Sequence, residues 1–135
     1  MADKLDISRQ LTDALGQIEH SANTALDDAL RITASNAVQS LRNKNVGATG
    51  NRWKKYPKGW TVKKEGKKNV KYIVWNSKHP GLTHLLEKGH RVVTKNGVDT
   101  GKRTEPQPHI AEVDEKLAEW FEENYERKLK ERLKE

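Results

Sequence analysis

The chain has 135 residues, no cysteine, a net charge of +7 and a mean hydropathy of −0.99, with hydrophobic and charged residues at 33% each. This excludes a disulfide framework and thiolate chemistry, makes a reducing compartment the default, and leaves a monomer too little apolar material for a thick core. No apolar leader follows Met1 and no apolar run approaches membrane-spanning length, so the expectation is a soluble protein made in a cytoplasm.

From Leu5 to about Leu41 the pattern is helical. Leu11, Leu15, Ile18, Ala22, Ala25, Ala29 and Ile32 step by fours and threes along one stripe. The spacing predicts one long helix, or two collinear ones broken at Ser21–Thr24, where each polar side chain can cap a new start. The seam is alanine-rich after Ile18, so whatever packs there, the chain's own sheet or a neighbouring subunit, approaches closely. Ala22, Ala25 and Ala29 are the candidate contacts to a neighbouring subunit.

Residues 43–51, with Gly47 and Gly50, read as a linker. Trp60–Glu65 and Val70–Asn76 are β-branched and aromatic runs separated by a turn-type segment, the signature of a β-hairpin. Lys63, Lys64, Lys67, Lys68 and Lys71 gather at its tip. Pro80-Gly81 then opens a short helical turn that Gly89 closes, residues 89–94 form a third short strand, and 95–105 read as a mobile loop. The last helix starts near His109 or Ile110 after Pro106-x-Pro108, with acidic first turns and basic last ones. Trp60, Trp75, Trp120 and Phe121 are the expected core, Trp120 and Phe121 anchoring the last helix on the sheet. The expected class is α+β: a long N-terminal helix, a small antiparallel sheet with a hairpin, a short helix and a long C-terminal helix. It is read as a single domain over residues 1–135, made of a helical arm (1–42), the linker, a β-rich middle (52–108) and the final helix (109–135).

Charge is segregated along this order. Residues 1–40 hold 3 Lys/Arg against 6 Asp/Glu (−3), residues 41–110 hold 17 against 4 (+13), and residues 111–135 hold 6 against 9 (−3). A basic block interleaved with Trp53, Tyr56, Trp60, Tyr72 and Trp75 can contact a polyanion through phosphates and stacking. The same block also reads as a solvated lysine face over an aromatic core, and no sequence-specific DNA- or RNA-binding motif is present. His84-x-x-Glu87-x-x-His90 with His109 downstream has some of the residue types of a metal site. Its spacing is not that of zinc hydrolases, and Gly89 ends the helix before His90, so these residues are read as structural. No nucleophile elbow, phosphate-binding glycine loop or paired-carboxylate site occurs, so neither an enzyme nor a cofactor is expected.

Several of these residues resemble a known family. Thr49-Gly50, Tyr56-x-x-Gly59-Trp60-x-Val62, Val74-Trp75-Asn76, the run Leu82-Thr83-His84-Leu85-Leu86-Glu87-Lys88-Gly89-His90 and Pro108-His109-Ile110 resemble the tail-completion family of long-tailed bacteriophages, also described as head–tail joining or minor tail components. The matching part runs from about Thr49 to the last helix. It departs in a glycine-poorer loop (Asn96-Gly97 and Gly101) and in Ala111-Glu112-Val113 following without a further proline. The resemblance implies a structural virion protein, assembled in the bacterial cytoplasm as a ring of its own copies (a hexamer) in the neck. It would contact head-stopper, tail-terminator and tail-tube proteins and, non-specifically, the phage DNA, with no membrane partner. The hairpin lysines would then face the DNA channel. The competing expectation is a basic nucleic-acid-binding accessory protein.

Overall fold

A computed structural model describes residues 6–47 and 54–134. Thr49, Gly50 and Trp53, and the end of the expected linker, lie outside the described residues. The order is α1 (Ile7–Asn43), β1 (Trp60–Glu65), β2 (Lys71–Asn76), α2 (Thr83–Lys88), β3 (Arg91–Val93), β4 (Asp99–Arg103) and α3 (Ile110–Lys134), with single 3₁₀ turns at Pro57–Gly59 and Pro80–Leu82. The fold is α+β, with the long first and last helices, the hairpin and the short helix that the sequence patterns indicate.

α1 begins at Asp6, whose carboxylate accepts from the Arg9 amide at 3.0 Å. It runs unbroken through Ser21–Thr24, so of the two alternatives the single long helix is the one that forms. There Thr24 turns its hydroxyl back onto the His20 carbonyl at 2.8 Å instead of capping a new start. α3 lies antiparallel along the second half of α1. Lys44 pairs with Glu112 near one end, Asn124 donates to Thr33 and Asn36 (both 3.0 Å) in the middle, and Arg132 pairs with Asp28 at 2.9 Å near the other. Ala25 and Ala29 are fully buried in this seam and Ala22 is half-buried. Their assignment to a subunit interface is therefore corrected for Ala25 and Ala29: the chain's own last helix takes up the close approach that alanine permits. Ala25→Leu is expected to destabilise the isolated protein by about 1–3 kcal/mol through overpacking. Thermal unfolding checks this, and an unchanged unfolding temperature would contradict the packed seam.

β1 and β2 pair antiparallel from Trp60↔Asn76 to Glu65↔Lys71. The turn between them begins at Gly66, whose φ of 87° suits a residue without a Cβ. Arg42, near the end of α1, ties this hairpin down by donating two hydrogen bonds to the Trp60 carbonyl (3.1 and 2.7 Å). On the other side Tyr72 donates to Asp27 at 2.7 Å. The core lies between these elements: Ala37, Val38, Leu41, Tyr56, Trp60, Leu82 and Val113, with Val62, Val74, Leu86, Ile110, Leu117 and Trp120 half-buried against it.

Three expectations change here. The third strand does not join the first sheet: β3 pairs with β4 in a separate two-stranded sheet, and the segment expected as a mobile loop supplies the turn and β4. Asn96-Gly97 makes the tight turn, with the Gly97 amide on the Thr94 carbonyl (2.9 Å) and φ of 82° at Gly97. Trp75 is not core. It is 37% exposed because strand alternation turns it outward, where the Lys63 ammonium lies 5.1 Å from its ring centre. Trp120 is half-buried against the core, but Phe121 is half-buried outside it, stacked on Tyr125. The last helix is anchored chiefly on α1, not on the sheet.

Candidate functional site

The most connected part of the molecule is the joint where α2 meets the start of α3. α2 has only six residues and Gly89 stops it with φ 73° and ψ 168°, a conformation that favours glycine. A Cβ at Gly89 would also stand 2.5 Å from the Thr104 carbonyl oxygen. The stop leaves Glu87 on the last turn of α2, facing the first residues of α3. One carboxylate oxygen accepts from the His109 and Ile110 amides (2.7 and 2.9 Å), the other from the Ala111 amide at 3.0 Å. These are among the donors a helix start leaves without intrahelical partners, and they lie at the positive end of the helix dipole. Glu87 thus caps α3 from another element. Burial by itself would raise its pKa, but the three backbone N–H groups and the neighbouring imidazole outweigh that, and the carboxyl is held below its usual value.

His109 is completely buried beside it. Its Nδ1 lies 2.8 Å from the Gln107 carbonyl oxygen and 2.9 Å from Glu87; both neighbours are acceptors, so Nδ1 carries a proton. Nε2 meets the Tyr56 hydroxyl at 2.9 Å, and that hydroxyl also bonds the Thr83 side chain at 3.2 Å. Burial first of all raises the Tyr56 pKa, with the Glu87 charge adding to it against the Thr83 bond. The phenol stays protonated. Tyr56, Trp60 and His109 meet edge to face, with centroids 5.7–5.9 Å apart. Asn76 closes the back of the joint by donating to the Tyr56 carbonyl at 2.7 Å and accepting from the Lys78 and His79 amides (3.2 and 3.0 Å).

Of the motif residues, Leu82, Glu87, Gly89, His109 and Ile110 are brought together here, with Leu86 against the core. Pro108 supplies the entry to α3. His84 and Leu85 point outward and are exposed. His90 is half-buried with Nδ1 on the Arg91 carbonyl at 2.8 Å. Among the described residues no group of three His, Cys, Asp or Glu could hold a metal. Tyr56, Thr83, Asn76 and Gln107 were missed as site residues. Their roles lie in long-range hydrogen bonds that no local spacing announces, although Tyr56, Asn76 and Thr83 do stand within quoted motifs.

The lysine cluster divides. All five lysines are exposed, but strand alternation sends Lys63 to the Trp75 ring and to Glu65 (3.2 Å), and Lys64 the other way, to Asp27 (3.7 Å) and the Tyr72 ring. Lys67, Lys68 and Lys71 make no ion pair among the described residues and form the basic end of the hairpin. No helix among the described residues is long and apolar enough to cross a membrane. Comparison of the chain with family models, characterised proteins and solved structures returned no match.

Proposed function

We propose that the protein is a non-enzymatic structural component of the neck of a long-tailed bacteriophage, where copies form a ring, a hexamer, joining the DNA-filled head to the tail. In this reading it sits in the virion beside head-stopper, tail-terminator and tail-tube proteins, after assembly in the host cytoplasm. One observation carries it. The residues that resemble the tail-completion family, far apart in sequence, converge on one joint: Tyr56, Glu87, His109 and Ile110 hold one another, and Gly89 ends the helix that carries Glu87. A motif whose members depend on each other physically is a stronger basis for likeness than scattered identities. The polar atoms of the joint are spent on one another, which suits a rigid fitting.

The test is complementation of particles made without the protein. Filled heads and finished tails should accumulate separately and should join when purified protein is added. Normal joined particles without it would reject the reading. The second reading, a nucleic-acid-binding accessory protein, is favoured by the exposed Lys67, Lys68 and Lys71. It requires the free chain to bind duplex DNA with a steep salt dependence that falls when the five hairpin lysines become serine. Under the neck reading the free chain binds DNA weakly, and the serine variant still joins heads to tails but alters DNA retention.

A further inference from the structure

The first half of α1 projects beyond the rest of the fold. Arg132 reaches Asp28 and α3 ends at Lys134, so the cover over α1 stops close to Ala25. Toward the N-terminus the same seam continues uncovered: Ala25 is 0% exposed, whereas Ile18, Leu15, Leu11 and Ile7 are 54%, 64%, 58% and 62% exposed. These four occur at helical spacing on one face, in line with the alanines that α3 covers. A bare helix of this length is marginal in water, and this one carries large aliphatics where a second helix would lie.

We infer that the arm pairs antiparallel with the arm of a second copy of this chain, about a two-fold axis near Leu15. Three observations select that occupant. The uncovered stripe is continuous with the α1–α3 seam, so it is shaped for an antiparallel helix placed end to end with α3. Among the described helices only this arm has such a vacant stripe, since α3 is occupied by α1 and α2 has six residues. And the charges match at the junction: the basic last turn of α3 (Arg132, Lys134) meets the helix start capped by Asp6 in the second copy, negative dipole end to positive. In the antiparallel register Leu11 faces Ile18, two large aliphatics, and Ile7 faces the small Ala22, in the knobs-into-holes manner. The margins are mostly uncharged (Ser8, Thr12, Gln10, Gln17). Glu19, the one marginal charge, falls across from Ser8 and Thr12 of the second copy, so like charges are not opposed.

This contact is isologous and does not close a ring by itself, so it stands or falls separately from the neck proposal. The chain has no cysteine of its own, which makes disulfide mapping unambiguous. Mixing a Leu11→Cys chain with an Ile18→Cys chain under mild oxidation should give the mixed disulfide in excess over either homodimer. Sedimentation of the free chain should show the wild-type protein as a dimer, and Leu15→Glu as a folded monomer whose unfolding temperature, unlike that of the wild type, does not depend on protein concentration, because Leu15 is outside the core. Several results would overturn the inference: a wild-type monomer throughout, a dimer indifferent to Leu15→Glu, or homodimer disulfides in excess, which indicate parallel arms. A larger ring whose arms do not cross-link would reject arm pairing and leave the neck proposal intact. Arm-paired dimers that fail to restore joining would do the reverse.

Discussion

Replacing Glu87 with alanine is expected to destabilise the whole fold by roughly 3–4 kcal/mol. Hydrogen bonds to a charged acceptor contribute about 1.5–3 kcal/mol each before overlap, and the change strips three amides and the buried His109 of one shared partner. For a chain of this size the unfolding temperature should fall by about 10 °C. The change sits on a six-residue helix, yet its effect should register at the start of α3, as early loss of amide-exchange protection around Ile110. The pH dependence has a definite sign. Because Glu87 is held below its ordinary carboxylate value in the fold, its contribution is complete above that ordinary range and is lost as pH falls through the lowered value. Glu87→Gln should flatten the acid limb of the stability curve. An unchanged acid limb would mean that Glu87 does not carry the cap.

Trp60→Ala is expected to cost about 3–5 kcal/mol, a large part of what a domain this size possesses. Trp60 is 3% exposed and is surrounded by Tyr56, His109 and the floor of α1. Its carbonyl also receives the Arg42 guanidinium, so the strand start shifts if the ring's cavity collapses. Trp75→Ala, on the outer face of the same hairpin, should cost less than about 1 kcal/mol. Denaturant midpoints of the two variants measure the contrast. Equal losses would mean that the hairpin's faces are reversed.

The elements with strong local signals were legible in the sequence. The hairpin ends fall where the aromatic runs end, Gly89 stops α2, and α3 starts just past Pro108. What was not legible depended on partners remote in the chain. Alanine spacing shows that something approaches α1 closely, but not whether it is the chain's own last helix or another copy; the burial of Ala25 and Ala29 decides for the former. Period-two alternation separates Trp75 from Tyr72 without saying which face is inward, and the docking of Tyr72 on Asp27 fixes it. Residues 95–105 lack an apolar pair, a pattern that by itself indicates a loop. There the Asn96-Gly97 turn outweighs hydrophobic patterning, and β4 forms from exposed residues. At the site, His84, Glu87 and His90 drew notice for their chemistry, while the capping role of Glu87 required a helix start 22 residues away.

The pairing of α1 with α3 also has a consequence for synthesis. Asp28 and Arg132, 104 residues apart, tie the middle of the first long helix to the end of the last. A ribosome releases α1 before α3, and the seam from Ala25 to Leu41 has no cover until α3 has emerged. Throughout elongation that alanine-rich groove is open to other nascent chains and to holding chaperones. Completion of the fold thus waits for α3, and is governed by how soon that helix, once it has emerged, finds the first.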